Sequence, residues 1–158
     1  MMLRAFMDND LPAVHAIQSS CPHAAQWHKE DYLRLAGDPC GMILVAELAT
    51  AKPPHLVGFA AFHRVIEEVE LRNLAVDPAH QRQGVARSLL REGIRELQEF
   101  RARRIFLEVR ASNHPALALY ASLGFRLYST RKGYYQGPLE DALLMALDIH
   151  PSSEIPSQ

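Results

Sequence analysis

The chain has 158 residues, 48% of them hydrophobic, which suits one compact domain with a sizeable core. Seventeen basic and eighteen acidic residues leave a net charge of -1, so no overall electrostatic drive toward nucleic acid or an anionic membrane exists. No window approaches the roughly 18 apolar residues of a membrane span, and Met1 to Asp10 lacks an apolar run behind a basic stretch, so a cytoplasmic protein without a membrane partner is expected.

Leu3 to Phe6 reads as a first strand, and Asp8 to Ser20 as a helix opened by Asp/Asn capping chemistry, with Leu11, Val14 and Ile17 on one face. Cys21 to Gln26 interrupts the pattern. A short helix from about His28 to Ala36 ends at Gly37, which suits a left-handed C-terminal position. Met42 to Leu48 and Leu56 to Val65 flank Lys52-Pro53-Pro54, where proline cannot continue a ladder, so the two runs pair as a hairpin. Val69 to Val76 is the next strand, stopped at Asp77-Pro78. The strongest helix spans Gly84 to Phe100, with Val85, Leu89, Leu90, Ile94, Leu97 and Phe100 opposite Arg91, Glu92, Arg95 and Glu99. Arg104 to Val109 reads as a buried strand, Asn113 to Leu123 as a helix closed at Gly124, and Phe125 to Thr130 and Ala142 to Leu147 as two further strands. This order implies mixed α and β layers around one sheet, an α+β domain over residues 1–150. Pro151 to Gln158 has the composition of a loose tail.

Two cysteines, Cys21 and Cys40, are too few for a disulfide framework and read as reduced thiols. His15, His23, His28, His55, His63, His80, His114 and His150 are scattered without paired ligand spacing, so no metal is expected.

Chemistry concentrates where a strand turns into the long helix, at Gln81 to Arg87. Gly84 and Ala86 strip the turn of large side chains, and a helix N-terminus presents unpaired N–H groups and a positive dipole end to an anion. Arg82 and Arg87 add charge. The turn lacks both the three-glycine spacing of a dinucleotide fold and the Gly-Lys-Ser/Thr of a P-loop. By itself it explains phosphate contact and leaves open a plain helix-start glycine.

The neighbouring residues carry more. Gln81, Gly84 and Ala86 match the Gln/Arg-x-x-Gly-x-Gly/Ala pattern of the GCN5-related N-acetyltransferase (GNAT) family. Around them, Asn73 to Gly84 (NLAVDPAHQRQG), Leu107 to Asn113 (LEVRASN), Ala118 to Phe125 (ALYASLGF), Gly133 to Tyr135 and Glu140 to Ala142 resemble its bacterial RimI type. The clear match runs from about Asn73 to Ile149, and the N-terminal half matches more loosely. The resemblance implies a mostly antiparallel sheet with helices on both faces and a splayed parallel pair, Val69 to Val76 and Arg104 to Val109. Acetyl-CoA would lie between those strands, its carbonyl on backbone N–H groups near Leu74, Ala75 and Val76, its phosphates on Arg82, Gln83, Gly84, Val85, Ala86 and Arg87, with Asn113 and Tyr120 as further contacts. The acceptor implied is a protein N-terminus, the N-terminal alanine of a small-subunit ribosomal protein. A small amine or free amino acid is the alternative acceptor, and a non-catalytic acetyl-CoA-binding module the alternative class.

Amide formation from a thioester needs a base for the amine and an acid for the departing thiolate. The resemblance assigns these to Glu108 and Tyr120. Glu108 stands inside an apolar run, where burial would raise its basicity. From ordinary values, proton transfer from an α-amine to a glutamate is uphill by nearly 4 units, roughly 5 kcal/mol, so a shifted carboxylate or a water relay is required. Without the resemblance, Glu108 reads as an outward-facing rim carboxylate and Tyr120, in helical register with Leu117 and Leu123, as core filler. Asn113 is also a sufficient helix cap. Cys21 to Trp27 and Tyr134-Tyr135 occupy the positions of the family's peptide-binding loops, although Trp27 also reads as a hydrophobic anchor. Glu67, Glu68 and Glu70 read as a solvated strand edge.

Overall fold

The computed structural model describes residues 1–150, so the expected tail lies outside the described residues. Seven strands, β1 (Met2–Ala5), β2 (Gly41–Leu48), β3 (His55–Val65), β4 (Glu68–Val76), β5 (Arg104–Arg110), β6 (Arg126–Tyr135) and β7 (Glu140–Asp148), form one sheet in the order β1-β2-β3-β4-β5-β7-β6. Every pairing is antiparallel except β4 with β5. The helices are α1 (Leu11–Ser19), α2 (Lys29–Ala36), α3 (Val85–Glu99) and α4 (His114–Ser122). Two cores result. Val14, Ile17, Tyr32 and Leu35 of α1 and α2 pack with Ile43, Val45, Phe59 and Ala75 on one face. Val85, Leu89, Leu90 and Leu97 of α3 and Tyr120 of α4 pack with Leu44, Ala60, Phe62 and Leu107 on the other. Because helices cover both faces of β3, Leu56 to Phe62 is buried without alternation, as an apolar run requires.

Local signals account for most element ends. Asp31 caps the start of α2, its carboxylate accepting from the His28 N–H at 2.9 Å. Asn113 Oδ1 accepts from Ala116 N–H at 3.3 Å to cap α4, and Gly124 follows that helix at φ +98°. At the N-terminus a short 3₁₀ turn, Asp8–Asp10, precedes α1, and the cap comes from Asp10, which accepts from Met7 N–H at 2.8 Å. Asp10 is also held by Arg4 through bonds of 2.8 and 2.9 Å. Burial pushes the Asp10 carboxyl up, but the Arg4 guanidinium and the Met7 N–H outweigh it and leave the group below the usual carboxylate range.

Three expectations are corrected. Gly37 has φ -84°, an ordinary helical value, so α2 ends without a left-handed residue. Phe100 is 55% exposed rather than part of the buried face of α3, and is covered by the Arg64 guanidinium 4.8 Å from its ring. In its place Gly93 meets the core, because Phe62 comes so close that a Cβ there would lie 2.5 Å from its ring. Strand β6 continues to Tyr135, so Tyr134 and Tyr135 end a strand instead of following it. An irregularity after Arg131 allows this, with Gly133 at φ +60° and its N–H bonded to Asp141 at 2.9 Å.

Two irregularities in β4 matter for function. Phe62 pairs with Leu71 and Ala61 with Asn73, which leaves Arg72 as an extra bulged residue. A one-residue bulge reverses the faces of everything beyond it. Thus Val69 and Leu71 face the α3 core, whereas Asn73 and Ala75 face α1 and α2. On its other edge β4 pairs with β5 only over Glu68↔Arg104, Val69↔Ile105 and Glu70↔Phe106. From there to Val76 and Arg110 the two strands part.

Candidate active site

The gap between β4 and β5 is a cleft of about 1130 Å³. Its walls are Leu71 to Val76 of β4 and Leu107 to Arg110 of β5, with Tyr120 of α4, the Cys21 to Gln26 segment, and Tyr134-Tyr135 of β6 completing them. The turn at the end of β4 closes it with Arg82, Gly84, Val85, Ala86 and Arg87. Of the sequence-predicted site residues, Leu74, Ala75, Val76, Arg82, Gly84, Val85, Ala86, Arg87, Glu108, Asn113 and Tyr120 all line this one cleft, and Gln83 does not.

The turn has the geometry an anion needs. Gln81 Nε2 donates to Val76 O at 3.0 Å, folding the chain back on the strand, and Arg82 (φ +63°) and Gly84 (φ +82°) take left-handed conformations. A Cβ on Gly84 would meet no atom within 4 Å, so the space beside it is open. The bond from Ser88 N–H to Gly84 O, 3.0 Å, begins the α3 ladder and leaves the N–H groups of Val85 to Arg87 at its open end. Arg87 lines the cleft while donating to Ser122 Oγ at 2.8 Å, which ties the turn to α4. A diphosphate thus finds backbone donors, two arginines and no obstructing side chain, and the residues present fit acetyl-CoA.

Tyr120 is buried, 6% exposed, with its ring centroid 5.6 Å from that of Phe125. Burial pushes its phenol well above the usual range, so the hydroxyl stays protonated at neutral pH. That hydroxyl has no hydrogen bond within the described residues, which leaves it available as a donor. Glu108 is a correction. It alternates outward on β5 and is exposed, as the reading without the resemblance has it, and is not buried as the apolar run suggested. Its Oε1 accepts from the Tyr135 hydroxyl at 2.8 Å and its Oε2 lies 3.7 Å from the Arg131 guanidinium. Burial, then the Glu108 carboxylate, push the Tyr135 phenol up, so Tyr135 remains the donor in that bond.

The residues expected on the substrate side divide. Tyr134 and Tyr135 reach the cleft, with Arg110 4.0 Å from the Tyr135 ring centroid. Trp27 does not line the cleft. It packs at 4.9 Å on Tyr32 and acts as an anchor. Glu67 pairs with Arg103 and Glu70 with Arg72, each at 3.4 Å. Cys21 and Cys40 are free thiols, and the buried Cys21 Sγ donates to Val76 O at 3.2 Å. Among the described residues no three His, Cys, Asp or Glu groups gather as a metal site, and no helix is long and apolar enough to cross a membrane.

A sheet parted between its parallel strands, with a turn shaped for an anion at the open end, defines an acyl-CoA-dependent transferase fold. The family model described as acetyltransferase (GNAT) family matches residues 11–125, and the chain belongs to that family as an acetyl-CoA-dependent N-acetyltransferase. Among its relatives is the [ribosomal protein bS18]-alanine N-acetyltransferase of Escherichia coli K12, 38% identical over 142 residues, covering 89% of this chain and 92% of that protein. The Haemophilus ducreyi enzyme of the same name is 34% identical over 92% of this chain and 99% of its own. The crystal structure of the Escherichia coli ribosomal-protein-S18-alanine N-acetyltransferase superposes with a TM-score of 0.84 at 34% identity, covering 99% of both chains. Arabidopsis thaliana NAA60, crystallised with acetyl-CoA, shares the fold at 19% identity, with a TM-score of 0.82 and coverage of 94% of this chain and 98% of its own.

Proposed function

We propose that this N-acetyltransferase acetylates the N-terminal alanine of ribosomal protein bS18 in the cytoplasm. What carries the reading is the parted β4–β5 cleft, which gathers the phosphate turn, Glu108, Tyr120 and the two tyrosines of β6, in a chain 38% identical to an enzyme named for that reaction. The N–H groups at the start of α3, with Arg82 and Arg87, hold the diphosphate, Asn113 lines the α4 side, and the β4 backbone from Leu74 to Val76 receives the acyl end. Acetyl-CoA supplies an activated acyl thioester.

Glu108, open to the cleft, takes the amine proton through water rather than by direct contact. An α-amine is about a quarter neutral near pH 7.5, so this demand is modest, whereas a lysine is only about a thousandth neutral. Tyr120, held protonated and without a hydrogen-bond partner in the described residues, gives its proton to the departing thiolate. Tyr135 and Arg131 orient the Glu108 carboxylate. The test is incubation with acetyl-CoA and an Ala-initiated bS18 peptide, followed by mass spectrometry. Acetylation at the α-amine is expected, and no product, or product only on lysine side chains, refutes the assignment.

A further inference from the structure

Three buried polar side chains stand outside this proton chemistry. Gln18 of α1, Tyr32 of α2 and Asn73 of β4 are 2%, 0% and 4% exposed. The Asn73 amide is fully used. Its Nδ2 donates to Ala25 O at 3.0 Å and to the Tyr32 hydroxyl at 3.1 Å, and its Oδ1 accepts from the N–H groups of Ala25 and Leu74, both at 3.1 Å. The Tyr32 hydroxyl donates to Gln18 Oε1, and Gln18 Nε2 donates to Trp27 O at 3.0 Å. Asn73 therefore grips both backbone groups of Ala25, as a neighbouring strand would. The segment between α1 and α2 has no ladder of its own and is placed by side chains.

An apolar residue at position 73 would fill the same space without burying an amide, which is costly unless every group is paired. What the polar network adds is a single placement of the loop. Ala24, Ala25 and Gln26 of that loop line the cleft, and so does Leu74, held by the same Asn73 oxygen. Asn73 thus locks the loop to β4 at the stretch where β4 and β5 have parted. An attacking amine must be placed there within a fraction of an ångström.

We propose that Asn73 is a positioning residue for the acceptor. Through Ala25 it sets how far the Cys21 to Trp27 loop stands from β4, and so which N-terminal residue the site accepts, favouring small over large. This inference rests on the protein N-terminus reading above. The test is a one-tube competition between two peptides that differ only in an initial Ala or Leu, in excess acetyl-CoA. The ratio of their kcat/KM values does not depend on how much enzyme is folded, so loss of stability alone leaves it unchanged.

For Asn73→Ala, the Ala-over-Leu ratio falls about tenfold, equivalent to about 1.4 kcal/mol, while acetyl-CoA affinity by calorimetry stays near wild type. Tyr32→Phe keeps the ring on Trp27 and Phe59 but removes the hydroxyl, and lowers the ratio by a smaller factor, carrying the test if Asn73→Ala does not fold. A core change on the opposite face, Ile105→Val, leaves the ratio unmoved. Unchanged ratios in the Asn73 and Tyr32 variants of an active enzyme, or an equal fall in Ile105→Val, overturn this inference alone. Wild-type protein that binds acetyl-CoA but acetylates neither peptide overturns the functional reading and this inference with it.

Discussion

Gly84 lets folding be separated from the proposed phosphate binding, because it sits at φ +82° with open space where a Cβ would be. A Cβ at position 84 meets no atom within 4 Å, so the main structural cost of Gly84→Val is backbone strain, about 2 kcal/mol for a side chain in the left-handed region. In a domain of this size each kcal/mol moves Tm by about 2–4 °C, giving a fall of about 4–8 °C. Acetyl-CoA at a hundred times its Kd stabilises a binding-competent protein by about 2.7 kcal/mol, or about 5–11 °C. Thermal denaturation with and without acetyl-CoA therefore reads both effects. Wild-type protein gains the full ligand shift, Gly84→Val starts lower and gains almost none, and Gly84→Ala carries the strain with part of the shift. A Gly84→Val protein that gained as much as wild type would refute the placement of the diphosphate beside this residue.

Tyr120→Phe and Glu108→Gln are each expected to lower kcat by about 10²-fold. Acetyl-CoA affinity by calorimetry should stay near wild type in both, and unchanged steady-state turnover in either removes that residue from the proton path. Gly93→Ala forces a methyl to 2.5 Å from the Phe62 ring and should cost about 1–3 kcal/mol by urea denaturation, with activity per folded molecule retained. Asp10→Asn should cost about 2 kcal/mol at neutral pH by weakening the Arg4 contact. Because the folded Asp10 carboxyl lies below its unfolded value, its contribution is present above about pH 4 and lost as pH falls through the folded value. The stability gap between wild type and Asp10→Asn should accordingly close on acidification, and a gap that stayed constant from neutral pH to acid would contradict this.

The proposed phosphate turn could be read from the residues because its requirements are local: small side chains at Gly84 and Ala86, a helix start, and arginines within one turn. The same holds for the Asn113 cap, the β2–β3 hairpin and the stop at Asp77-Pro78. The role proposed for Tyr120 rests on resemblance, since its spacing suits a core residue equally well, and it is indeed buried. Glu108 shows the limit of local reading. Strand alternation alone placed it outward, as it is, against the burial that the apolar run suggested, but its Tyr135 partner is 27 residues away on β6.

Where β4 bulges and where it leaves β5 was decided by tertiary structure. Both depend on pairing with strands distant in the sequence, and a one-residue shift in register exchanges the two faces. The bulge at Arg72 turns Asn73 from the α3 core toward α1 and α2, and only then can its amide reach Ala25 and Tyr32. Composition and spacing determined which elements form and where an anion can sit. Long-range strand pairing determined the shape of the cleft and the loop that faces it, because those depend on partners that no local window contains.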